Sequence, residues 1–147
     1  MIHIIKEWFK AAKPNPSTVD ACVQIGCHYE EVSEMSSVLY DDVEHSLAST
    51  ARNYQMHSRG YIGAVEELSA DERVELLDAL CDQVVTAVGV AYMMGMDIEG
   101  ALAEVNRSNW SKFEGGVPVF NAHGKIVKGA EYTPPELSDY ISELYET

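Results

Sequence analysis

The stretch Ser69-Ala-Asp-Glu-Arg-Val-Glu-Leu-Leu-Asp-Ala-Leu-Cys-Asp-Gln-Val-Val-Thr-Ala-Val-Gly-Val-Ala-Tyr-Met-Met-Gly95 decides the fold class. Its first four residues match the capping box S-x-x-E, in which serine and glutamate satisfy two backbone donors that a helix start leaves unpaired. Apolar residues then recur at helical spacing with no proline among them. Gly95 stands where a helix commonly ends in a left-handed residue. The spacing predicts a helix from Ala70 to about Met94. From Leu76 to Met96 its only charges are Asp78 and Asp82. They lie four apart, so they share a face, beside Leu77, Leu80, Cys81, Val84 and Val85. A helix this apolar is expected to be largely buried, and a buried carboxylate without a partner is costly. A base, a shared proton or a metal ion has to compensate.

The same signals recur on either side. Ile2, Ile5, Trp8, Phe9 and Ala12 predict a short amphipathic helix over 2–12, stopped at Pro14-Asn-Pro16. Ser17 and Thr18 are capping candidates for a second helix reaching about Tyr40. Asp41-Asp42 can cap a third through about residue 57. Ser58-Arg-Gly60 reads as a break, and the segment to Leu68 as irregular or one more helical turn. Asp97 caps a further helix over 98–113. Val117-Pro-Val-Phe120 and Lys125-Ile-Val-Lys128 flank the turn cluster Asn121-Ala-His-Gly124, which suits a small hairpin. Thr133-Pro-Pro135 then opens a last helix to about Glu146. The expected fold is all-α: one domain over 1–147, an antiparallel bundle of four to five main helices with a short C-terminal hairpin or irregular arm.

With 147 residues, 46% of them hydrophobic and 23% charged, the chain can fold without disulfide or zinc staples. Twenty-four acids against ten Lys and Arg give a net charge of −14. Such a chain repels phosphate backbones and anionic lipid, which excludes a nucleic-acid or membrane-surface module. Cys22, Cys27 and Cys81 form no C-x-x-C and read as reduced, packed thiols. The N-terminal residues lack the pattern of a signal peptide, and no apolar run has the length of a membrane span. These features predict a cytoplasmic protein.

The charges are segregated. From Val19 to Ala51 there are seven acids and no Lys or Arg, whereas Val105 to Ala130 holds Arg107, Lys112, Lys125 and Lys128 against Glu114 alone. Glu30, Glu31 and Glu34 fall to one side of the second helix. Should the two acidic helices pack side by side, up to five carboxylates converge: Glu30, Glu31, Glu34, Asp78 and Asp82. A hard divalent cation suits such a set, because Mg²⁺ takes oxygen ligands and is held by one or two carboxylates together with substrate phosphates. Lys112, Lys125 and Lys128 could neutralise the far phosphates. The plainer alternative is that the glutamates face solvent and the lysines serve solubility. Other chemistries lack their signatures. Cys27 and His28 are sequence neighbours and point to different sides, the five histidines show no zinc spacing, and Asp42-Val-Glu-His45 is only a single variant of the di-iron motif.

Glu30-Glu31-x-x-Glu34 followed by Asp78-x-x-x-Asp82 resembles the MazG-like all-α nucleoside triphosphate pyrophosphohydrolases, best their phosphoribosyl-ATP pyrophosphohydrolase-like branch and its compact phage-encoded members. Gly95-Met-Asp97, Glu104-Val-Asn-Arg-Ser-Asn109-Trp-Ser-Lys112, Gly124-Lys-Ile-Val-Lys-Gly129 and Tyr132-Thr-Pro-Pro135 look like that branch's C-terminal signature, so the likeness spans roughly 20–137. The resemblance implies a homodimer or homotetramer in the (host) cytoplasm, Mg²⁺ (or Mn²⁺), and hydrolysis of a (deoxy)nucleoside triphosphate to monophosphate and pyrophosphate. By position it makes Glu31, Glu34 and Asp82 metal ligands and Glu30 the residue that orients or deprotonates the water. Asn109, Lys112, Lys125, Lys128 and Tyr132 become substrate contacts. The family more often carries Glu-x-x-Asp; position 79 is alanine here, so Asp78 substitutes as a ligand. Asn106 stands where relatives often have His. Taken alone, the residues leave two other readings open: a non-catalytic acidic helical assembly, and a metal-binding or nucleic-acid-mimicking module.

Overall fold

The computed structural model describes residues 2–39 and 42–142. It is all-α: α1 (Ile2–Ala12), α2 (Thr18–Val38), α3 (Glu44–Gln55), α4 (Arg59–Glu66), α5 (Ala70–Met93) and α6 (Ile98–Trp110), with no strand among the described residues. No helix among them is long and apolar enough to cross a membrane. The chain sorts into two compact units, one built from residues 2–12, 69–119 and 128–142, the other from 13–68 and 120–127.

In the second unit α2 starts where the sequence places it. Ser17 accepts from the Asp20 amide, and Asp20 accepts from the Ser17 amide, completing a capping box. Tyr40, the expected end, and Asp41 lie outside the described residues; the expected cap by Asp42 does not form, because α3 starts from Val43 with no side chain capping it. α2 and α3 pack antiparallel, since Gly26 meets Ala51 and Gln55 while the Ser33 hydroxyl donates to the Glu44 carbonyl. A Cβ at Gly26 would stand 2.7 Å from the Ala51 carbonyl and from the Gln55 amide, so only glycine lets the two backbones approach this closely. Cys22 and Val23 are buried, Tyr29 stacks on Tyr54, and Tyr61 meets Tyr54 edge-on. The segment after Ser58 is a full helix, α4, rather than a single turn.

In the first unit Trp8 of α1 and Phe113 after α6 bury one another, with Phe9 edge-on to Trp8. The α5 capping box forms as expected between Ser69 and Glu72, and Gly95 takes φ +65° just beyond the helix. Asp97 accepts from the Gly100 amide and starts α6. α6 stops at Trp110, three residues short of the expectation.

Two expectations are corrected and a third is narrowed. First, α5 is not buried. Ala91 is its one buried residue, and Val74, Leu77, Leu80, Val84, Val85, Val88 and Val90 are all exposed. Cys81 is exposed with them, so the three thiols are not uniformly packed. Helical periodicity reports which residues are apolar, not which surface covers them. Second, no last helix starts at Pro134. Residues 133–137 are non-helical and a single 3₁₀ turn (Ser138–Tyr140) follows. The backbone there is claimed by α6 side chains. The Thr133 carbonyl accepts from the Ser108 and Ser111 hydroxyls, the Pro134 carbonyl from Arg107, and the Glu136 amide donates to Glu104. Each residue before a proline is also pushed to extended backbone. The remainder of that expected helix, 143–146, lies outside the described residues. Third, of the hairpin or irregular arm expected, the structure takes the irregular form, with isolated bridges Glu114–Val117 and Phe120–Ile126.

Candidate functional site

Glu30 lies on α2 one turn beyond the Gly26 contact. Its Oε2 accepts from Gln55 Nε2 of α3 at 2.9 Å and from the Lys125 ammonium in a short charge-assisted contact. Gln55 can reach it because Gly26 brings the helices together. Lys125 arrives from the loop 120–127, which is shaped locally. Asn121 Oδ1 accepts from the His123 and Lys125 amides, Gly124 turns at φ +79°, and the Phe120–Ile126 bridge closes the loop. The Lys13 ammonium sits over the Phe120 ring, and the His123 ring meets His57 at the end of α3. Burial draws the Lys125 pKa down, but the Glu30 hydrogen bond and the negative potential of Cys27, Glu30 and Glu31 outweigh it, and the net shift is upward. Lys125 therefore stays cationic.

Glu31 is exposed and close enough to contribute to the potential at Lys125, while Glu34, one turn on, is exposed. All three glutamates belong to the 13–68 unit. Asp78 and Asp82 are exposed on α5 in the other unit, and the Asp82 carbonyl accepts from Thr86. Among the described residues no group of three or more His, Cys, Asp or Glu is gathered so as to hold a metal ion. The donor chemistry nonetheless fits a hard divalent cation. Glu31 with Glu34, and Asp78 with Asp82, are carboxylate pairs at helical spacing, and Mg²⁺ takes one or two protein carboxylates together with substrate phosphates.

The remaining predicted contacts lie in the first unit. Asn109 is half-buried on α6. Lys112 follows that helix with its ammonium 6.0 Å from the Trp8 ring, and Lys128 stands 4.8 Å over the half-buried Tyr132 ring. The Lys112 and Lys128 ammonium groups thus lie over aromatic faces, the second of them that of Tyr132. Sequence reasoning passed over three supporting residues. Gln55 fixes Glu30, and nothing in its local sequence marks it. Gly26 had a signal, a glycine inside a helix, which usually has a packing reason. Arg107 ties α6 to residues 133–134 while bound to Glu104, whose carboxyl it holds well below the usual range, at about 2.

In comparisons with known proteins, no family model matches the chain, and neither a curated protein nor a solved structure matches it significantly.

Proposed function

We propose that the chain is a metal-dependent nucleoside triphosphate pyrophosphohydrolase, assembled as a homodimer or homotetramer. One observation carries the reading. Glu30 and Lys125, 95 residues apart, were each assigned to the site by their motifs, and they meet. An acidic helix and a cationic arm side by side suit a substrate whose phosphates need both a cation and lysines. Mg²⁺, when bound, neutralises phosphate charge and acidifies a water. Glu31 and Glu34 would hold it on α2, and Asp78 and Asp82 are the further carboxylates that the resemblance assigns to it. Glu30 orients the water and takes its proton as the oxygen attacks the α-phosphorus. The bond from that phosphorus to the bridging oxygen breaks, and pyrophosphate leaves with the bond's electron pair. Lys125 would exchange Glu30 for the departing phosphates; Lys112 and Lys128 are the further cations, and Asn109 and Tyr132 the nucleoside contacts, that the resemblance assigns. Positioning and electrostatics of this kind supply most of the catalysis in phosphoryl transfer.

The exposure of Asp82 and of most of α5 favours a second reading, a non-catalytic helical assembly whose acids are a solvated face. One experiment separates them. Each common NTP and dNTP is incubated with the protein in MgCl₂ and in EDTA, and products are resolved by ion exchange. Pyrophosphate release abolished by EDTA supports the enzyme, and no turnover of any nucleotide favours the assembly. Asp82→Asn and Glu34→Gln are each expected to lose activity by orders of magnitude with helicity intact. Near-wild-type rates in both reject the site. Lys125→Ala is expected to act mainly on KM.

A further inference from the structure

We propose that His57 and His123 form a site for a divalent transition-metal ion of the zinc type, held by the two imidazoles and completed by water. The site is separate from the carboxylates assigned to Mg²⁺ and stands whether or not the chain is an enzyme.

The two histidines are far apart in sequence, and the fold brings them together within one compact unit. His57 follows α3, and His123 lies in the loop 120–127. Their ring centroids are 5.8 Å apart and their planes cross at 63°. That separation is the one a shared ion requires. Zinc sits about 2.0–2.1 Å from an imidazole nitrogen, so, allowing for the ring radius, two ring centres around one tetrahedral ion stand about 5–6 Å apart. The outer torsion of histidine is broad, so each ring can turn a nitrogen toward a common point at low cost.

Both histidines are positioned through their backbones. His57 has φ +40°, the one positive value at a non-glycine residue among the described residues, and its amide donates to the Tyr54 carbonyl at 2.9 Å. Such a conformation persists only where the surroundings impose it, and it recurs at ligand clamps. The His123 amide donates to Asn121 Oδ1 at 2.9 Å, in the turn that Gly124 completes. Ligands placed in advance lose less freedom when the ion binds.

The donor chemistry selects the ion. Imidazole suits zinc, copper and nickel, whereas magnesium and calcium prefer oxygen. Among the described residues no third His, Cys, Asp or Glu completes a metal-holding group, so the remaining positions fall to water. His57 also lines a surface cavity with Arg59, Ile62, Gly63 and Glu66, which supplies an entry path and room for those waters. The net charge of −14 draws cations to the surface. Bound there, the ion ties the end of α3 to the loop that carries Lys125, and it stabilises the folded chain over the unfolded one.

The test uses the full chain, stripped of metal and dialysed against zinc chloride in excess MgCl₂. Magnesium does not compete for imidazole, so the outcome is independent of any Mg²⁺ site. Bound zinc is measured by atomic absorption, and thermal unfolding is followed with and without zinc. One zinc per chain and a higher Tm are expected. His57→Asn and His123→Asn should each weaken binding by on the order of tenfold or more and abolish the Tm shift. Asparagine tolerates a positive φ, so the first variant should keep its helical signal. His45→Asn, at an exposed position of α3, should bind as the wild type does. Diethyl pyrocarbonate labelling of the wild type, read by peptide mass spectrometry, needs no variant: zinc should protect the His57 and His123 peptides several-fold. A wild type that takes up no zinc overturns the proposal. So does zinc retained by both variants, which assigns it to other groups, or zinc uptake that neither raises Tm nor protects the two histidines.

Discussion

Replacing Gly26 by alanine sets two physical effects against each other, and the structure says which wins. Glycine inside a helix costs about 1 kcal/mol relative to alanine, so propensity alone predicts that the substitution stabilises α2. The added Cβ, however, would lie 2.7 Å from the Ala51 carbonyl oxygen, the Gln55 amide nitrogen and the Gln55 Cγ. Two of those atoms are backbone and cannot swing aside; α3 as a whole must back away from α2. Overpacking of a close contact costs about 1–3 kcal/mol, and a contact that only a helix shift relieves belongs at the upper end. The net expectation is a loss of about 1–2 kcal/mol. Gly63 of α4 is the control, because a Cβ there meets nothing within 4 Å. Gly63→Ala should therefore show propensity unopposed and gain up to about 1 kcal/mol. Urea unfolding followed at 222 nm measures both. A second readout links packing to the site. Displacing Gln55 loosens its hydrogen bond to Glu30, so Gly26→Ala should also alter any activity that depends on Glu30. If Gly26→Ala is as stabilising as Gly63→Ala, the close approach of α2 and α3 is wrong and the reasoning fails with it.

Three further outcomes are expected. The Asp20 carboxyl, hydrogen-bonded to Lys13 and to the Ser17 hydroxyl and amide, has its pKa lowered from 3.8 to about 2. A depressed acid stabilises the fold above its unfolded value. That contribution should fade as pH falls from about 4 to 2, and Lys13→Met should flatten the decline in urea midpoint over that window. An unchanged slope would remove the Lys13 contact from the account. Trp8→Ala empties a site shared with Phe9 and Phe113 and should cost about 3–5 kcal/mol, read as a large fall in Tm. A fall of a degree or two would mean that α1 is not docked there. Arg107→Ala cuts the ties to Thr133 and Pro134, so glutamate-specific proteolysis after Glu131 or Glu136 should accelerate, and equal cleavage rates would show that the segment holds without it.

The helices were legible where their ends are chemical. Ser17 with Asp20, Ser69 with Glu72, and Asp97 bond backbone donors within a turn of themselves, so a window of four residues is enough to place them. Gly95 ends α5 for an equally local reason, its positive φ. The last helix was misjudged because the competing partners, Arg107, Ser108 and Ser111, lie more than twenty residues away. The Thr133-Pro-Pro135 signal was real, but long-range hydrogen bonds outbid it. For the candidate site, the motifs named Glu30 and Lys125 separately, and no local pattern pointed to Gln55 between them.

The sequence by itself determined that this chain is helical, where most of its helices begin, and that its acids and its bases occupy different stretches. These are properties of neighbouring residues. Only the tertiary structure decided which helix lies against which, and so how deeply each is buried. It brought Lys125 to Glu30 through a loop folded on Asn121, and among the described residues it leaves most apolar side chains of α5 exposed. Hydrophobic burial is non-directional: an apolar helix demands cover without naming its source. That information lies in the shape of the remaining surface, which a periodicity of three and four does not contain.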